Sequence, residues 1–126
     1  MSAGIWNITA EQGATFSPTL IYKDSDGVPV DMTGWQARMQ IRKTYGAATA
    51  QVELTTENGG ITLGAAGQIA LLISAADMAA LPAADVQTSS QRPPSRDYVY
   101  DLELIVGDVV SRLLEGKFRV SRGVTR

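Results

Sequence analysis

The sequence predicts a single all-β domain built as a sandwich or a barrel. Apolar and polar residues alternate in most apolar segments, and turn-forming residues recur about every 8–12 positions, as in sandwiches. Only one short segment has helical features. Of the 126 residues, 44% are apolar and 19% are charged, so the chain can bury a sizeable core. Residues 1–126 are therefore expected to form one domain.

The first two predicted strands lie at residues 5–9 and 15–23. The second contains Pro18, and because proline has no backbone N–H to donate to a β-ladder, we expect this strand at the edge of a sheet. Residues 23–27 then combine two aspartates with Gly27, which is typical of a tight turn. Alternation places three apolar residues of the second strand on one face: Phe16, Leu20 and Tyr22.

The strand at residues 35–42 shows the clearest alternation in the chain, so one of its faces is expected in the core and the other in solvent. Shorter strands are predicted at residues 51–55, 60–63 and 68–73, with turn residues at 57–59. The predicted core positions of these strands are Trp35, Ala37, Met39, Ile41, Val52, Leu54, Ile69, Leu71 and Ile73.

A short helix is predicted after the strand at residues 68–73. Ser74 fits the N-cap position, Asp77 lies in the first turn, where a carboxylate is favourable, and Pro82 ends the helix. Residues 83–97 are rich in Ser, Gln, Arg and Pro and have no periodicity, so we interpret them as a long loop insertion. Loops of this length are uncommon in compact domains and are often functional.

The last two strands, at residues 98–106 and 109–122, form a predicted hairpin around the turn 107–108. A two-residue loop would pair Leu102 with Leu113 and scatter apolar residues of the last strand onto the polar face. We therefore favour a three-residue loop with a bulge. In that register the opposing pairs are Leu102 and Leu114, Tyr100 and Gly116, and Tyr98 and Phe118.

The favoured register has an electrostatic cost, because it places Asp101 opposite Glu115. This repulsion is tolerable if that face is solvated and Lys117 lies diagonally near. The prediction is thus that this face of the hairpin is exposed to water.

The composition argues against catalysis. The chain contains no histidine and no cysteine, the residues that most often supply a general base, a thiolate or transition-metal ligands. We expect no enzyme activity, no cofactor and no metal. The net charge of -2 creates no field for nucleic acid or anionic lipid, and no apolar run approaches the roughly 20 residues that span a bilayer. The N-terminus lacks the features of a secretion signal, so synthesis in a cytosol is expected.

The turn at residues 23–27 has a second interpretation as part of a calcium loop, because Asp24, Asp26 and the nearby Asp31 carry oxygen ligands. An EF-hand loop needs a glutamate at its twelfth position, where this chain has Trp35. Turn capping is therefore the favoured interpretation of these aspartates.

Asp101, Glu103 and Glu115 are the candidates for a carboxylate pair that would hydrolyse glycosides, since a hairpin can bring such residues together. No cluster of sugar-stacking aromatic residues lies beside them in the sequence. Exposed charges on the wet face of a hairpin are the favoured interpretation.

Three stretches of the chain resemble the N-terminal domain family of phage baseplate upper proteins: residues 11–16 (EQGATF), 22–35 (YKDSDGVPVDMTGW) and 98–104 (YVYDLEL). The resemblance covers roughly residues 8–120. It implies an immunoglobulin-like antiparallel β-sandwich of seven to eight strands with one short helix. The chain is also similar to small stand-alone virion proteins of podophages and cyanophages.

The resemblance implies a bacteriophage virion protein whose partners are other virion proteins of the tail, baseplate, fibre or capsid, present in several copies. Family members usually carry a further segment C-terminal to this domain, whereas this chain stops at Arg126, which favours an adaptor or a surface decoration over a fibre carrier. A capsid decoration (cement) protein is one alternative, and a carbohydrate-binding module, which would need an aromatic platform on a sheet face, is another.

Partner contacts are predicted at Trp6 near the N-terminus, in the loop at residues 83–97 and in the C-terminal tail at residues 119–126. Tryptophan and arginine are enriched at protein interfaces, and a polar loop can become ordered on a partner. The predicted partner-binding residues are Trp6, Gln91, Arg92, Arg96, Arg119, Arg122 and Arg126.

Overall fold

The computed structural model describes residues 4–81 and 95–121 and shows an all-β sandwich, which confirms the predicted fold class. Each strand is short except the last two, which form one long hairpin. The strands are β1 (Gly4–Ile5), β2 (Ile8–Glu11), β3 (Thr19–Ile21), β4 (Gln36–Arg42), β5 (Val52–Thr55), β6 (Ile61–Leu63), β7 (Gln68–Leu71), β8 (Ser95–Val106) and β9 (Val109–Ser121). The helix α1 (Ala75–Ala79) follows β7.

Two sheets form the layers. The large sheet has the order β1-β9-β8-β4-β5, with β2 also paired to β9, and the small sheet has the order β3-β7-β6. With β3 to β9 taken as strands B, C, C′, D, E, F and G, this is the order of an immunoglobulin sandwich, in which B, E and D share one sheet and C′, C, F and G the other. The pairing is antiparallel in both sheets, except that β1 and β2 run parallel to β9.

The core lies between the two sheets and is filled by alternate residues of the strands. In β4 the buried residues are Ala37, Met39 and Ile41, as the alternation predicts. Phe16 of the small-sheet side packs edge-on against Phe118 of β9, with ring centroids 5.3 Å apart and planes at 77°. Such aromatic pairs add attraction beyond the area they bury.

Strand β3 lies at the edge of the small sheet, as Pro18 predicts. The ladder with the β7 segment begins earlier, at Phe16, whose N–H and C=O both bond to Ile73. At the next inward-facing position the Leu71 N–H donates to the Pro18 carbonyl, at 3.0 Å. Proline cannot return that bond, so the regular strand begins only at Thr19.

The β8–β9 hairpin has the predicted pairing at its far end but a different cause for it. Its turn is the two-residue type, with Val106 opposite Val109. The register then changes between Leu102 and Glu103, because Leu113 is inserted as a bulge. Beyond the bulge the observed pairs are Leu102 and Leu114, Tyr100 and Gly116, and Tyr98 and Phe118. The three-residue loop was therefore wrong and the core register correct.

Two predicted boundaries also differ from the structure. Strand β8 begins at Ser95, so the last three residues of the predicted 83–97 loop are paired with β9. Strand β9 continues to Ser121, so the start of the predicted 119–126 tail belongs to the sheet. In β8 the apolar alternation begins only at Tyr98, whereas main-chain pairing starts at Ser95. In β9 the alternation of Phe118 and Val120 runs into the predicted tail, in agreement with the strand predicted at residues 109–122. The rest of the predicted loop and tail lies outside the described residues.

The N-terminal strand bends where it crosses β9, which separates β1 from β2. At the bend the Trp6 N–H donates to the Glu115 carbonyl, at 3.0 Å, and the Lys117 N–H donates to the Asn7 side chain, also at 3.0 Å. The Tyr100 hydroxyl donates to the Trp6 carbonyl, at 2.5 Å. These bonds replace the ladder bonds that the bend interrupts.

The predicted turns and the helix cap are confirmed. The Asp24 carboxylate accepts from the N–H groups of Asp26 and Val28, at 2.9 and 3.0 Å. The Ser74 side chain caps α1 by accepting from the Asp77 N–H, at 3.1 Å. Both are local bonds of the kind that polar side chains make to nearby backbone.

Replacing Gly116 is expected to destabilise the fold, because a Cβ there would lie 2.5 Å from the Trp6 carbonyl oxygen. We expect Gly116→Ala to lower the free energy of unfolding by about 1–3 kcal/mol. Gly46→Ala is the matched control, since a Cβ at Gly46 meets nothing within 4 Å. Urea denaturation followed by tryptophan fluorescence measures both, and equal midpoints would contradict the crossing described above.

Candidate interaction surfaces

The outer face of the large sheet, which we call the charged face, carries ion pairs between neighbouring side chains: Arg38 with Glu103, Arg112 with Asp101 and Glu115, and Arg119 with Asp97. Arg38 donates to Glu103, with an Nη2–Oε1 distance of 2.7 Å. Arg119 binds Asp97 through two nitrogens, at 2.7 and 3.3 Å. These pairs are partly exposed, so each contributes little to stability, but they leave the named groups with partners inside the chain.

Asp101 faces Glu115 on this surface, as predicted, but the neutralising cation is not the one expected. Arg112 lies 3.4 Å from Asp101 and 3.8 Å from Glu115, and the positive charge of Lys117 instead helps to lower the pKa of Asp97. Arg112 lies before the bulge in β9, opposite Glu103, and its guanidinium group lies between the two carboxylates.

The two aspartates of β8 on this face have opposite pKa shifts. The pKa of Asp97 is lowered, mainly by its hydrogen bond from Arg119. The pKa of Asp101 is raised, first by burial and then by the negative charge of Glu103, against the attraction of Arg112. The charged form of Asp97 is therefore favoured in the folded state, and the charged form of Asp101 is disfavoured.

The outer face of the small sheet is different, because strands β3, β6 and β7 contain no charged residue. The strand registers place Thr19, Ala70 and Thr62 in one row across this face. Ile21 is 51% exposed and Leu72 is 47% exposed. We call this surface the uncharged face: Ser17, Thr19, Ile21, Thr62, Gln68, Ala70 and Leu72.

An apolar concavity, which we call the lateral groove, opens between the two sheets beside β3. It has a volume of about 340 Å³. Trp6 lies half-buried in its wall. The other lining residues come from β3, the residue after it, β7 and β9: Leu20, Ile21, Tyr22, Ile69, Leu113 and Leu114.

The bulge in β9 is what places two consecutive leucines in this groove. Successive residues of a regular strand point to opposite faces, yet Leu113 and Leu114 both line the same concavity. An inserted residue re-aims the side chains around it. The sequence signal for this feature is the apolar pair itself, which fits no simple alternation.

The structure separates the predicted partner-binding residues that it describes. Trp6 lies in the lateral groove and Arg119 is paired with Asp97 on the charged face. Arg96 is half-buried in β8 opposite Val120, where its side chain hydrogen-bonds Tyr98. The predicted residues that lie outside the described part are Gln91, Arg92, Arg122 and Arg126.

Two of the three aspartates that could belong to a calcium loop, Asp24 and Asp31, instead cap turns in the structure. The Asp31 carboxylate accepts from the N–H and the hydroxyl of Thr33, at 2.9 and 2.6 Å, and the pKa of Asp31 is lowered by these bonds. Across residues 4–81 and 95–121, no three acidic side chains come together as a metal site would require.

A polar concavity of about 180 Å³ lies on the charged face near Tyr45, whose side chain is largely exposed. Gln40, Arg42, Asp101 and Arg112 contribute polar groups to its wall. Arg42 is held by bonds to the Ala47 carbonyl and the Gln40 side chain. An exposed aromatic ring beside polar groups is an arrangement that can bind a sugar.

Comparison of the chain with protein-family models and with curated proteins finds no match. In the described part of the chain, no helix has the length and apolar character to cross a membrane. The arguments about function therefore rest on the surfaces of the molecule.

Substitutions at the two β8 aspartates should change stability in opposite directions at pH 7. Asp97→Asn removes a carboxylate whose pKa is lowered in the folded state. This lowered pKa stabilises the fold at pH values above 3.8, the ordinary pKa of the group, and the stabilisation is lost as the pH falls through the pKa of the folded state. Asp101→Asn removes a carboxyl group whose pKa is raised in the folded state. Because the folded state disfavours its charged form, this group lowers the stability of the fold as the pH rises above 3.8. We expect Asp97→Asn to destabilise and Asp101→Asn to stabilise.

Urea unfolding at pH 7 and about pH 3 measures both variants, and the two differences should shrink at the lower pH as the carboxylates become protonated. Same-sign effects at pH 7 would contradict the assigned environments.

Proposed function

We propose that this chain is a structural module of a bacteriophage particle, an adaptor that docks onto other virion proteins near the tail, baseplate or fibre attachment point. The observation that carries the docking role is the contrast between the two outer faces. On the charged face three arginines are paired with carboxylates of the same chain, whereas the uncharged face has no charged residue in its strands. Depletion of charge is typical of the buried centre of protein interfaces. The phage context comes from the sequence resemblance.

The size of the uncharged face indicates how it would be used. Three strands about 4.8 Å apart and about 10–13 Å long present an area on the order of 150 Å², against about 800 Å² per partner in a standard interface. One such contact is weak. In a symmetric particle, repeated copies and neighbouring surfaces such as the lateral groove would combine their contributions through avidity.

A lysine on the uncharged face is expected to reduce incorporation into particles. Leu72→Lys should reduce the amount of this protein in purified particles by at least about tenfold, since a buried unpaired charge costs several kcal/mol. Val110→Lys is the matched control, because Val110 is 51% exposed on the charged face. Quantitative mass spectrometry of particles measures both variants.

Equal incorporation of the two variants would remove the uncharged face from the proposal, and absence of the unmodified chain from particles would remove the adaptor role. The copy number separates an adaptor, with a few to dozens of copies, from a capsid decoration, whose number follows the capsid lattice.

Carbohydrate binding is the second candidate, favoured by the exposed Tyr45 beside a polar concavity. A glycan array with the full chain tests it. If the concavity binds a sugar, Tyr45→Ala should abolish the array signal, because the stacking surface is lost, while Leu72→Lys on the opposite layer should leave the signal unchanged. An array without any positive glycan would end this candidate.

A further inference from the structure

The free side of β3 carries backbone groups that no described strand pairs. In an antiparallel ladder, the N–H and C=O of alternate residues point to alternate sides. The residues that bond toward β7 are Phe16, Pro18 and Tyr22, since Phe16 and Tyr22 donate to its side, at 2.9 and 2.8 Å, and the Pro18 carbonyl accepts from it. The N–H and C=O groups of Thr19 and Ile21 therefore point outward.

Pro18 does not protect this edge. Proteins often shield an edge strand with a proline whose missing donor faces outward, or with a charged side chain. Here the nitrogen of Pro18 faces β7, and β3 itself has no charged residue. The outward donors of Thr19 and Ile21 are thus available to a further strand.

The position beside β3 is the one that strand A occupies in an immunoglobulin sandwich, where A and B share a sheet. In this chain β1 and β2 instead pair with β9 in the other sheet. The lateral groove opens at the same place, with Leu113 and Leu114 in its wall. A strand added to β3 would therefore lie over the groove and could place every second side chain in it.

We propose that the free edge of β3 and the lateral groove together bind an extended segment of a partner chain, which adds to the small sheet as a strand. The segment has apolar residues at every second position and no charge in its centre. This inference rests on the adaptor role proposed above and names the chemistry of one of its contacts.

Charge complementarity argues for an uncharged segment. The edge strand, the groove lining and the adjoining uncharged face contain no charged side chain. A charge brought to this surface would lose water without gaining a partner. A partner segment that alternates small polar and apolar residues would place the polar ones on the outer side of the sheet and the apolar ones in the lateral groove.

A second copy of this chain fits the site poorly. Twofold pairing of β3 with β3 would join two strands of three residues, an area on the order of 50 Å² per copy, far below the roughly 800 Å² of a stable interface. In addition, Leu20 and Tyr22 of that copy pack against its own core, so they are not available to fill the groove. The occupant must bring free apolar side chains.

The test uses the full chain labelled with ¹⁵N and ¹³C and a synthetic peptide with the core Thr-Val-Thr-Val-Thr-Val between flanking lysines. On peptide binding, the amide exchange of Thr19 and Ile21 should slow by at least about tenfold, and the methyl signals of Leu113 and Leu114 should shift. A peptide with proline at its central valine is the control ligand, because it lacks a donor for the edge.

Three variants connect the binding to the edge. Thr19→Pro removes an outward donor without removing a bond to β7 and should weaken binding about fivefold to tenfold. Ile21→Lys places a charge at the edge and should abolish binding. Thr62→Lys places the same charge on the far strand of the uncharged face and should leave binding unchanged. Slow exchange of the Leu20 and Tyr22 amides shows that each variant is folded.

The proposal would be overturned if the peptide did not bind, or if it bound equally to Thr19→Pro and to the unmodified chain. It would also be overturned if the Thr19 and Ile21 amides of the free chain already exchanged as slowly as those of Leu20 and Tyr22. That result would mean that the chain covers its own edge. A dimer in sedimentation that Ile21→Lys dissociates would assign the edge to a second copy. Peptide binding by a chain absent from particles would retain the site and refute the adaptor role, and the reverse result would refute only the site.

Discussion

The bulge at Leu113 is the constraint on which the rest of this structure depends. Without an inserted residue, the two-residue turn of the β8–β9 hairpin would carry its register to the end of the strands and turn Phe118 and Val120 away from the core. With the insertion, both residues are fully buried. One unpaired residue therefore reconciles a tight turn with the apolar pattern of the last strand.

The same register determines how the N-terminal strand docks. It places Gly116 opposite Tyr100, where the absence of a side chain allows the bend at Trp6 to pass over β9 and the Tyr100 hydroxyl to reach the Trp6 carbonyl. Because β1 and β2 then pair with β9, they do not pair with β3. The edge of the small sheet and the lateral groove beside it are consequences of that choice of partner.

The charges follow a simple division between the two layers. Strands of the large sheet alternate apolar core residues with charged ones, and the charged side chains pair across neighbouring strands, as Arg38 does with Glu103. Strands of the small sheet alternate core residues with Thr, Gln and Ala. Covering the charged face would cost free energy because charged side chains would lose their hydration, whereas covering an uncharged face costs little. The asymmetry makes the small-sheet side the better candidate for docking.

The sequence by itself determined the features that depend on near neighbours. The alternation in β4, the Asp24 turn and the Ser74 cap follow from side-chain period or from local hydrogen-bonding chemistry, and each is present in the structure. The edge position of β3 was also predicted correctly, although the nitrogen of Pro18 faces β7 and not the free edge. The absence of charge in β3, β6 and β7 could also have been read from the sequence, although not that these three strands lie side by side.

Only the tertiary structure decided the parallel pairing of β1 and β2, the position of the bulge and the meeting of Trp6 with Leu113 and Leu114. The parallel pairing and the meeting at Trp6 join residues about 100 positions apart, and the pattern within a strand carries no information about which distant strand supplies the partner. That choice is made by the packing of the whole core, where the burial of residues such as Phe118 outweighs the loss of one ladder pair.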